Sequence, residues 1–252
     1  MIRYFAFCQG DVLLTAEGNI PFGIQPPVAL KSWNRVTTLH QGEDELQVIR
    51  LDYPVTGRDD LQMMGLRKTF QILSPEDYRL AGKCAELVYW DQQTRYCGVC
   101  GSPLGWQTDI SKQCPECGKE WWPSLAVAII VRVLRDDEIL LVHARNFRGN
   151  HYGLVAGFVE TGETLEQAVE REVWEETHLR IRNLHYFGSQ PWPFPCGLMV
   201  GFTADYAEGE IKLQKEELGS GGWFRRDNLP QIPDKASIAR KLIDDWCEKG
   251  EG

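Results

Sequence analysis

The order of apolar and polar residues gives the two halves of the chain different patterns, joined by a cysteine-rich segment. Residues 1–92 contain short apolar segments separated by clusters of turn-forming residues, which is typical of a small α+β domain. In the second half, Leu125–Leu134 and Glu138–Val142 are apolar enough for buried strands, and Arg135–Asp137 between them predicts a hairpin turn. Further strands are predicted at residues 184–187, 198–205 and 222–224.

Two segments of the second half have helical periodicity. Thr164 is a predicted N-cap, and Gln167, three residues later, completes a capping box. The apolar residues that follow at helical spacing are Leu165, Ala168, Val169 and Val173. We therefore predict an amphipathic helix over residues 164–177 and a closing helix over residues 237–246, so that the second half forms a mixed sheet packed with helices.

Composition and charge narrow the class of protein. The chain has 252 residues, 43% hydrophobic and 25% charged, as expected for one large or two modest globular domains. Its longest apolar run, Leu125–Val131, is far shorter than the ~20 residues of a membrane helix, and the N-terminus has no secretory signal pattern. We expect no membrane association and a cytoplasmic protein. The net charge of −9 disfavours non-specific nucleic-acid binding, so any polynucleotide would need a local basic patch.

Four of the eight cysteines form two CxxC pairs, Cys97/Cys100 and Cys114/Cys117. Each pair is followed by a glycine able to adopt positive φ, which lets backbone N–H groups point at a thiolate, and together the pairs offer four sulfurs for structural Zn²⁺. The alternative is two redox pairs or free thiols. Residues 97–122 carry two lysines against three acidic residues, so this predicted zinc ribbon looks like a structural staple rather than a nucleic-acid reader.

Acidic residues recur on the first predicted helix. Glu172 and Glu176 are four residues apart and share a face, with Glu175 on the flank. Like charges at this spacing repel, so the arrangement favours a divalent cation, Mg²⁺ or Mn²⁺, between them. The alternative is a solvated acidic face.

The surrounding residues resemble the Nudix box, Gx₅Ex₇REUxEExGU with U an aliphatic residue. Gly157, Glu163 and Arg171-Glu-Val-Trp-Glu-Glu176 match its fixed positions, and only His178 departs, replacing a glycine. The resemblance implies a Nudix α/β/α sandwich and hydrolysis of a nucleoside diphosphate linked to another moiety. Arg171 would hold Glu163 through a charge-assisted bond, while Glu172, Glu175 and Glu176 would bind the catalytic cation.

A second motif, Ser189-Gln-Pro-Trp-Pro-Phe-Pro195, lies between two predicted strands. Its three prolines fix φ at alternate positions and should present Trp192 and Phe194 in set orientations. It could equally be a rigid connector whose aromatic rings join the core. Beside a Nudix box it resembles the SQPWPFPxS signature of the NADH pyrophosphatases, also called NAD-capped RNA hydrolases, with Gly197 in place of the final serine.

That family resemblance covers the whole chain and implies three parts: an N-terminal α+β domain (1–92), a four-cysteine zinc ribbon (93–122) and a Nudix domain (123–252). It also implies a homodimer that hydrolyses NAD(H) to NMN(H) and AMP. The implied metal ligands are Glu172, Glu175 or Glu176, Glu217 and the carbonyl of Ala156. The implied substrate contacts are Arg67, Asp109, Trp122, Phe158, Gln190, Pro191, Trp192, Pro193, Phe194, Pro195, Cys196, Gly197 and Ala239.

Other interpretations of function remain open on the sequence. One is a Nudix hydrolase of another substrate, such as ADP-ribose or a diadenosine polyphosphate. Another is a catalytically silent binding protein, which the complete carboxylate set disfavours. If NAD-capped RNA is a substrate, Arg145, Arg148 and His151 could form a positive rim before the box, although these residues could also be an ordinary solvated loop.

Overall fold

The structure is a computed structural model that describes residues 1–32, 34–42, 44–145 and 149–248. The chain folds into two compact units. The N-terminal unit contains residues 1–124 together with residues 193–196, and the C-terminal unit contains residues 125–192 and 197–252. The ribbon segment thus shares a unit with the N-terminal sheet, and the predicted boundary at residue 92 stays a prediction.

The N-terminal unit is built on a mixed sheet. Its strands are β1 (Ile2–Cys8), β2 (Asp11–Thr15), β3 (Phe22–Gly23), β4 (Arg35–Gln41), β5 (Asp44–Arg50) and β6 (Leu61–Gly65). The order is β4-β5-β1-β2-β6, with β3 also paired to β1; β1 and β5 are parallel and the other pairs are antiparallel. A 3₁₀ helix (Leu66–Gln71) and helix α1 (Pro75–Gln93) follow, as expected for an α+β domain.

Helix α1 begins with a regular N-cap. The Ser74 side chain accepts a hydrogen bond from the backbone N–H of Asp77, and Pro75 occupies the first turn, where a missing N–H costs nothing. The helix buries Leu80, Cys84 and Leu87 against the apolar face of the sheet. Burial of this helical face, rather than intrinsic propensity, supplies most of the stability of such a helix.

The cysteine-rich segment adds three short strands, β7 (Gly105–Thr108), β8 (Ser111–Gln113) and β9 (Glu120–Trp121). Lys112 on β8, one of the two lysines of residues 97–122, is only 1% exposed. Its ammonium lies 2.7 Å from Asp91 Oδ1 and donates to the carbonyl of Thr94 at 2.6 Å, between the rings of Trp90 and Trp106. These contacts attach β8 to the C-terminal end of α1 and satisfy the buried charge.

The C-terminal unit is a second mixed sheet flanked by helices. Its elements are β10 (Ala126–Arg135), β11 (Glu138–Ala144), β12 (Val155–Phe158), α2 (Leu165–Thr177), β13 (Arg180–Trp192), β14 (Gly197–Glu208), β15 (Leu218–Arg225), a 3₁₀ turn (Arg226–Asn228) and α3 (Ile238–Glu248). The order is β13-β14-β10-β11-β15, with β12 also on β10. Strands β10 and β14 are parallel, and Asp136, with φ of 51°, makes the predicted hairpin turn.

Alternation along β10 explains the layers of this unit. Ile129, Val131 and Val133 pack with Val169 and Val173 of α2, while Ile130 packs on the opposite face with α3. The predicted α/β/α sandwich is therefore confirmed. Among the described residues, no helix is long and apolar enough to cross a membrane.

The proline-rich motif is divided differently from the expectation of one loop. Strand β13 is longer than predicted, and Gln190, Pro191 and Trp192 still pair with β14. Because β13 is an edge strand, Pro191 removes no ladder hydrogen bond that the sheet needs. Only residues 193–196 form the connection, and they belong to the N-terminal unit.

His178 ends α2 in the left-handed conformation that the family's glycine predicts, with φ of 58° and ψ of 25°. Its ring donates from Nδ1 to the carbonyl of Lys212 at 3.0 Å, which offsets part of the strain. We expect His178→Gly to leave the free energy of unfolding unchanged or to raise it by about 1 kcal/mol, with activity kept. Denaturant unfolding and a turnover assay check this. Loss of activity in a folded variant would give His178 a role in the site instead.

Candidate active site

The candidate site lies in the C-terminal unit, where β12 leads through a short loop into α2. The capping box fixes the start of the helix: Thr164 Oγ1 accepts from the Gln167 N–H at 3.2 Å, and Gln167 Oε1 accepts from the Thr164 N–H at 2.9 Å. The first turn is thereby locked, which sets the direction of every later side chain on α2. The site residues on this frame are Glu163 in the loop and Arg171, Glu172, Glu175 and Glu176 on α2.

Arg171 is the centre of the polar network. It binds Glu163 in a bidentate pair, with Nε to Oε1 at 2.5 Å and Nη2 to Oε2 at 3.0 Å, and Nη2 also donates to the carbonyl of Phe158 at 2.9 Å. Its Nη1 donates to Glu172 Oε1 and to Glu175 Oε2 at 2.9 and 3.0 Å. The guanidinium lowers the pKa of Glu163, so this carboxylate stays ionised and ties the loop to the helix.

Glu172 rests against the backbone of Gly157. A Cβ added to Gly157 would overlap the Glu172 carboxylate, so only glycine leaves room for that side chain. Burial raises the pKa of Glu172, Arg171 opposes that shift, and repulsion from Glu175 and Glu217 adds to it. Gly157 therefore belongs to the site for a steric reason. The motif includes this glycine, but the sequence alone did not show that it makes room for Glu172.

Glu176 is the most buried carboxylate of the set, at 6% exposure. Its Oε2 is buried and has no hydrogen-bond partner. Burial raises the pKa of Glu176 to about 8, and repulsion from Glu172 and Glu217 contributes. Glu217 is exposed just before β15 and is far from Glu176 along the chain. It is nevertheless close enough in space for its charge to raise the pKa of Glu176.

These carboxylates fit a divalent cation. An unpartnered buried oxygen beside two further carboxylates is costly unless a positive charge compensates it. Within the part of the chain that the structure describes, only the four cysteines bring three or more ligand atoms within 4.8 Å of one another. The carboxylate oxygens of any three site glutamates are therefore farther apart than this. Ala156, whose carbonyl is an implied ligand, immediately precedes Gly157 on β12.

The four cysteines form the metal-type cluster expected from the sequence. Cys97 Sγ lies 3.6 Å from Cys117 Sγ, and Cys100 Sγ lies 3.4 Å from Cys114 Sγ, with no disulfide among the described residues. Both knuckles close through the same bond, from the N–H of the following glycine to the carbonyl of the first cysteine. Desolvation raises the pKa of Cys97, but hydrogen bonds from the N–H groups of Cys100 and Val99 outweigh it and lower that pKa to about 6. The donor set is that of a closed tetrahedral zinc site.

The motif residues are divided between the two units. In the C-terminal unit, Gln190 Nε2 donates to the carbonyl of Ala236 at 2.7 Å, and its Oε1 is buried without a partner. A Cβ on Gly197 would lie 3.0 Å from the carbonyl oxygen of Trp192, so a serine here would require a small shift of this turn. In the N-terminal unit, Pro193 is buried and Phe194 packs on the hydrophobic core, so part of the motif does join a core.

The remaining predicted substrate contacts are also divided. Phe158 is 66% exposed at the end of β12, and Ala239 is buried in α3. In the N-terminal unit, Trp122 is 54% exposed and Arg67 is exposed. Asp109 accepts from both the backbone N–H and the ring Nδ1 of His40 at 3.0 Å, a partner that the sequence did not reveal. The roles of all these residues toward a substrate stay predictions, as does the binding role of Cys196.

Comparison with known proteins places the chain in a family. The NUDIX domain family matches residues 123–246. The NAD-capped RNA hydrolase NudC of Pectobacterium atrosepticum is 47% identical over 169 residues, which cover 67% of this chain and 65% of that protein, slightly less than two thirds of its length. NudC of Haemophilus influenzae is 39% identical over 246 residues, covering 95% of this chain and 91% of that protein.

The fold agrees with a solved structure. A crystal structure of a NUDIX hydrolase from Nitrosomonas europaea superposes with a TM-score of 0.54 at 19% identity, covering 62% of this chain and 92% of that one. At 19% identity this similarity shows the fold alone. The match to the Haemophilus influenzae protein covers nearly the full length of both chains and therefore shows the family. The chain belongs to the Nudix hydrolases and, within them, to the family of the NAD-capped RNA hydrolases NudC.

Proposed function

We propose that this protein is a metal-dependent diphosphatase that hydrolyses NAD(H) to NMN(H) and AMP. The observation that carries the proposal is the group of carboxylates around the unpartnered Oε2 of Glu176, set in a Nudix box that departs from the pattern only at His178. The motif of residues 189–195 and the family membership support NAD(H) over other dinucleotides. A silent binding protein would have no use for a buried carboxyl oxygen that lacks a hydrogen-bond partner.

Glu172, Glu176 and Glu217 would hold Mg²⁺ or Mn²⁺, with Glu175 on the flank and the carbonyl of Ala156 nearby. When bound, the cation neutralises the diphosphate and lowers the pKa of the attacking water. Arg171 positions the set, because it joins Glu163, Glu172 and Glu175 in one network. Glu176 Oε2 has no hydrogen-bond partner, so it could coordinate the cation or accept a proton from the attacking water.

Product analysis tests this proposal. The protein is incubated with NADH, NAD⁺, ADP-ribose or a diadenosine polyphosphate, with Mg²⁺ or Mn²⁺, and the products are separated by chromatography. We expect NMN(H) and AMP in equal amounts from the first two substrates. Turnover of ADP-ribose or the diadenosine compound without nicotinamide-containing products from NAD(H) would instead support a Nudix hydrolase of another substrate.

We further propose that the enzyme removes an NAD cap from RNA, since a capped end presents the same diphosphate. Arg145 lies beside Glu217, because its Nε donates to the carbonyl of Lys215 and its backbone N–H donates to the carbonyl of Glu217 at 2.8 Å. His151 is half-buried, and Arg148 lies outside the described residues. With a net charge of −9, only a few phosphates can be neutralised. We expect a slope of roughly −1 to −3 in log kcat/KM against log salt. Capped transcripts of several lengths provide the measurement, and no NMN release where NADH is cleaved would restrict the enzyme to dinucleotides.

We propose that the four cysteines bind one structural Zn²⁺ per chain and that the ribbon supports a homodimer. Exposed apolar side chains, Tyr96, Val99 and Trp122, lie on or beside the ribbon and favour a protein contact. Cys114→Ser should therefore reduce folding or dimerisation more than it alters the chemistry. Elemental analysis and light scattering check both points, and active protein without zinc would contradict the assignment. A cytoplasmic location stays a prediction.

A further inference from the structure

The segment that carries Glu217, residues 211–217, crosses the C-terminal end of α2. The last carbonyl groups of a helix have no partner within the helix. Here the backbone N–H of Lys212 donates to the carbonyl of Thr177 at 2.9 Å, and the backbone N–H of Gln214 donates to the carbonyl of Glu176 at 3.0 Å. The apolar side chains of the segment that pack against the core beside α2 are Ile211 and Leu213. The first half of the segment is therefore attached to the helix that carries the other site carboxylates.

A β-bulge follows the segment, where β15 pairs with β11. Two successive residues of β11 pair with Ser220 and Leu218, so Gly219 between them is an extra residue without a partner. Bulges redirect neighbouring side chains and are frequent next to active sites. Glu217 lies just before this bulge, so the direction of its side chain depends on what holds the turn at residues 215–217.

Arg145, the residue after β11, holds this turn at two points. Its Nε donates to the carbonyl of Lys215 at 2.5 Å, and its backbone N–H donates to the carbonyl of Glu217 at 2.8 Å. Two attachments fix the orientation of the turn as well as its position, and the bond from the guanidinium is charge-assisted. Both bonds end at main-chain carbonyls, which leaves the carboxylate of Glu217 for other partners. Gln214 Nε2 donates to Oε1 of that carboxylate at 3.4 Å.

We propose that Arg145 is a positioning residue, which directs Glu217 toward Glu172 and Glu176 so that the three carboxylates share one divalent cation. The proposal rests on the proposed function, in which Glu217 is a metal ligand. Glu217 is exposed, so packing of its own side chain does little to fix it and the turn has to do so. Groups that orient metal ligands typically contribute ~10–100-fold to metal affinity or activity. The positive charge of Arg145 by itself repels a cation, so position and charge act on metal binding in opposite directions.

Mn²⁺ binding to the full-length protein, followed by electron paramagnetic resonance without substrate, tests the proposal. Arg145→Met removes the guanidinium bond and keeps an unbranched side chain, and we expect its Kd for Mn²⁺ to rise at least about five-fold. Loss of a positive charge alone would lower this Kd. Arg182→Met is the matched control, because Arg182 is an exposed arginine of β13, and its Kd should stay within about two-fold of the wild-type value. An unchanged or lower Kd in folded Arg145→Met protein, or an equal rise in Arg182→Met, would overturn the proposal.

A double-mutant cycle with Glu217→Gln tests whether Arg145 acts through Glu217. Glu217→Gln should raise the Kd at least about ten-fold, and adding Arg145→Met to it should change the Kd by less than about two-fold, because the ligand that Arg145 directs is already lost. Losses of affinity that multiply in the double variant would overturn the proposal.

The same variants separate this proposal from the proposed function. An unchanged Kd in Glu217→Gln would remove Glu217 from the metal ligands, and the positioning role with it. A raised Kd in Glu217→Gln with an unchanged Kd in Arg145→Met would reject the positioning role alone. Thermal unfolding verifies that each variant folds, and since no NAD(H) is used, the identity of the substrate does not affect the result.

Discussion

Glu176→Gln is expected to lower kcat for NAD(H) hydrolysis by at least ~10², because the substitution removes a metal ligand or proton acceptor while keeping the shape of the side chain. The helix should stay intact. Glu176 is buried with one oxygen unpartnered, and burial raises its pKa to about 8, so the neutral amide of glutamine resembles the protonated carboxyl group that the metal-free protein already accommodates. Steady-state kinetics at saturating metal, together with unfolding curves, give the measurement.

Glu170→Gln is the matched control for this variant. Glu170 is exposed on the same helix and lies outside the fixed positions of the box, so its loss should leave kcat within about two-fold, as expected for a solvated surface charge. Near-normal turnover of a folded Glu176→Gln protein would remove Glu176 from the mechanism. Equal losses of kcat in both variants would show that the total negative charge of α2, rather than the carboxylate of Glu176, determines the rate.

Gly157→Ala should lower kcat by about 10² while the protein remains folded. An added Cβ overlaps the carboxylate of Glu172, and the flexible end of that side chain moves more easily than the backbone of β12. A displacement of about 1 Å at a reacting centre is enough for a loss of this size. Kinetics and metal-dependence curves of the purified variant check the expectation, with weaker apparent metal binding as the accompanying result.

Gly188→Ala provides the comparison for the glycine substitution. Gly188 lies on β13, and a Cβ built there meets nothing within 4 Å, so any general effect of replacing a strand glycine appears without displacement of Glu172. We expect near-normal kcat from it. If Gly157→Ala retains full activity, the carboxylate of Glu172 is not needed where the structure places it.

The sequence by itself determined the features that depend on residues a few positions apart. The capping box at Thr164 and Gln167, the left-handed end of α2 at His178 and the turn at Asp136 all follow from short-range hydrogen bonds and φ preferences. The two cysteine knuckles are local for the same reason. The ion pair of Arg171 with Glu163 was also expected, from the resemblance of residues 157–176 to the Nudix box.

Only the tertiary structure decided the features that join distant residues. The burial of Lys112 between Trp90 and Trp106, and the bond of Asp109 to His40, depend on the packing of α1 and β4 against the ribbon. Local sequence preferences do not indicate which distant residues will become neighbours in the fold. The position of residues 193–196 in the N-terminal unit likewise arises from contacts between residues more than a hundred positions apart, which depend on burial and shape rather than on spacing along the chain.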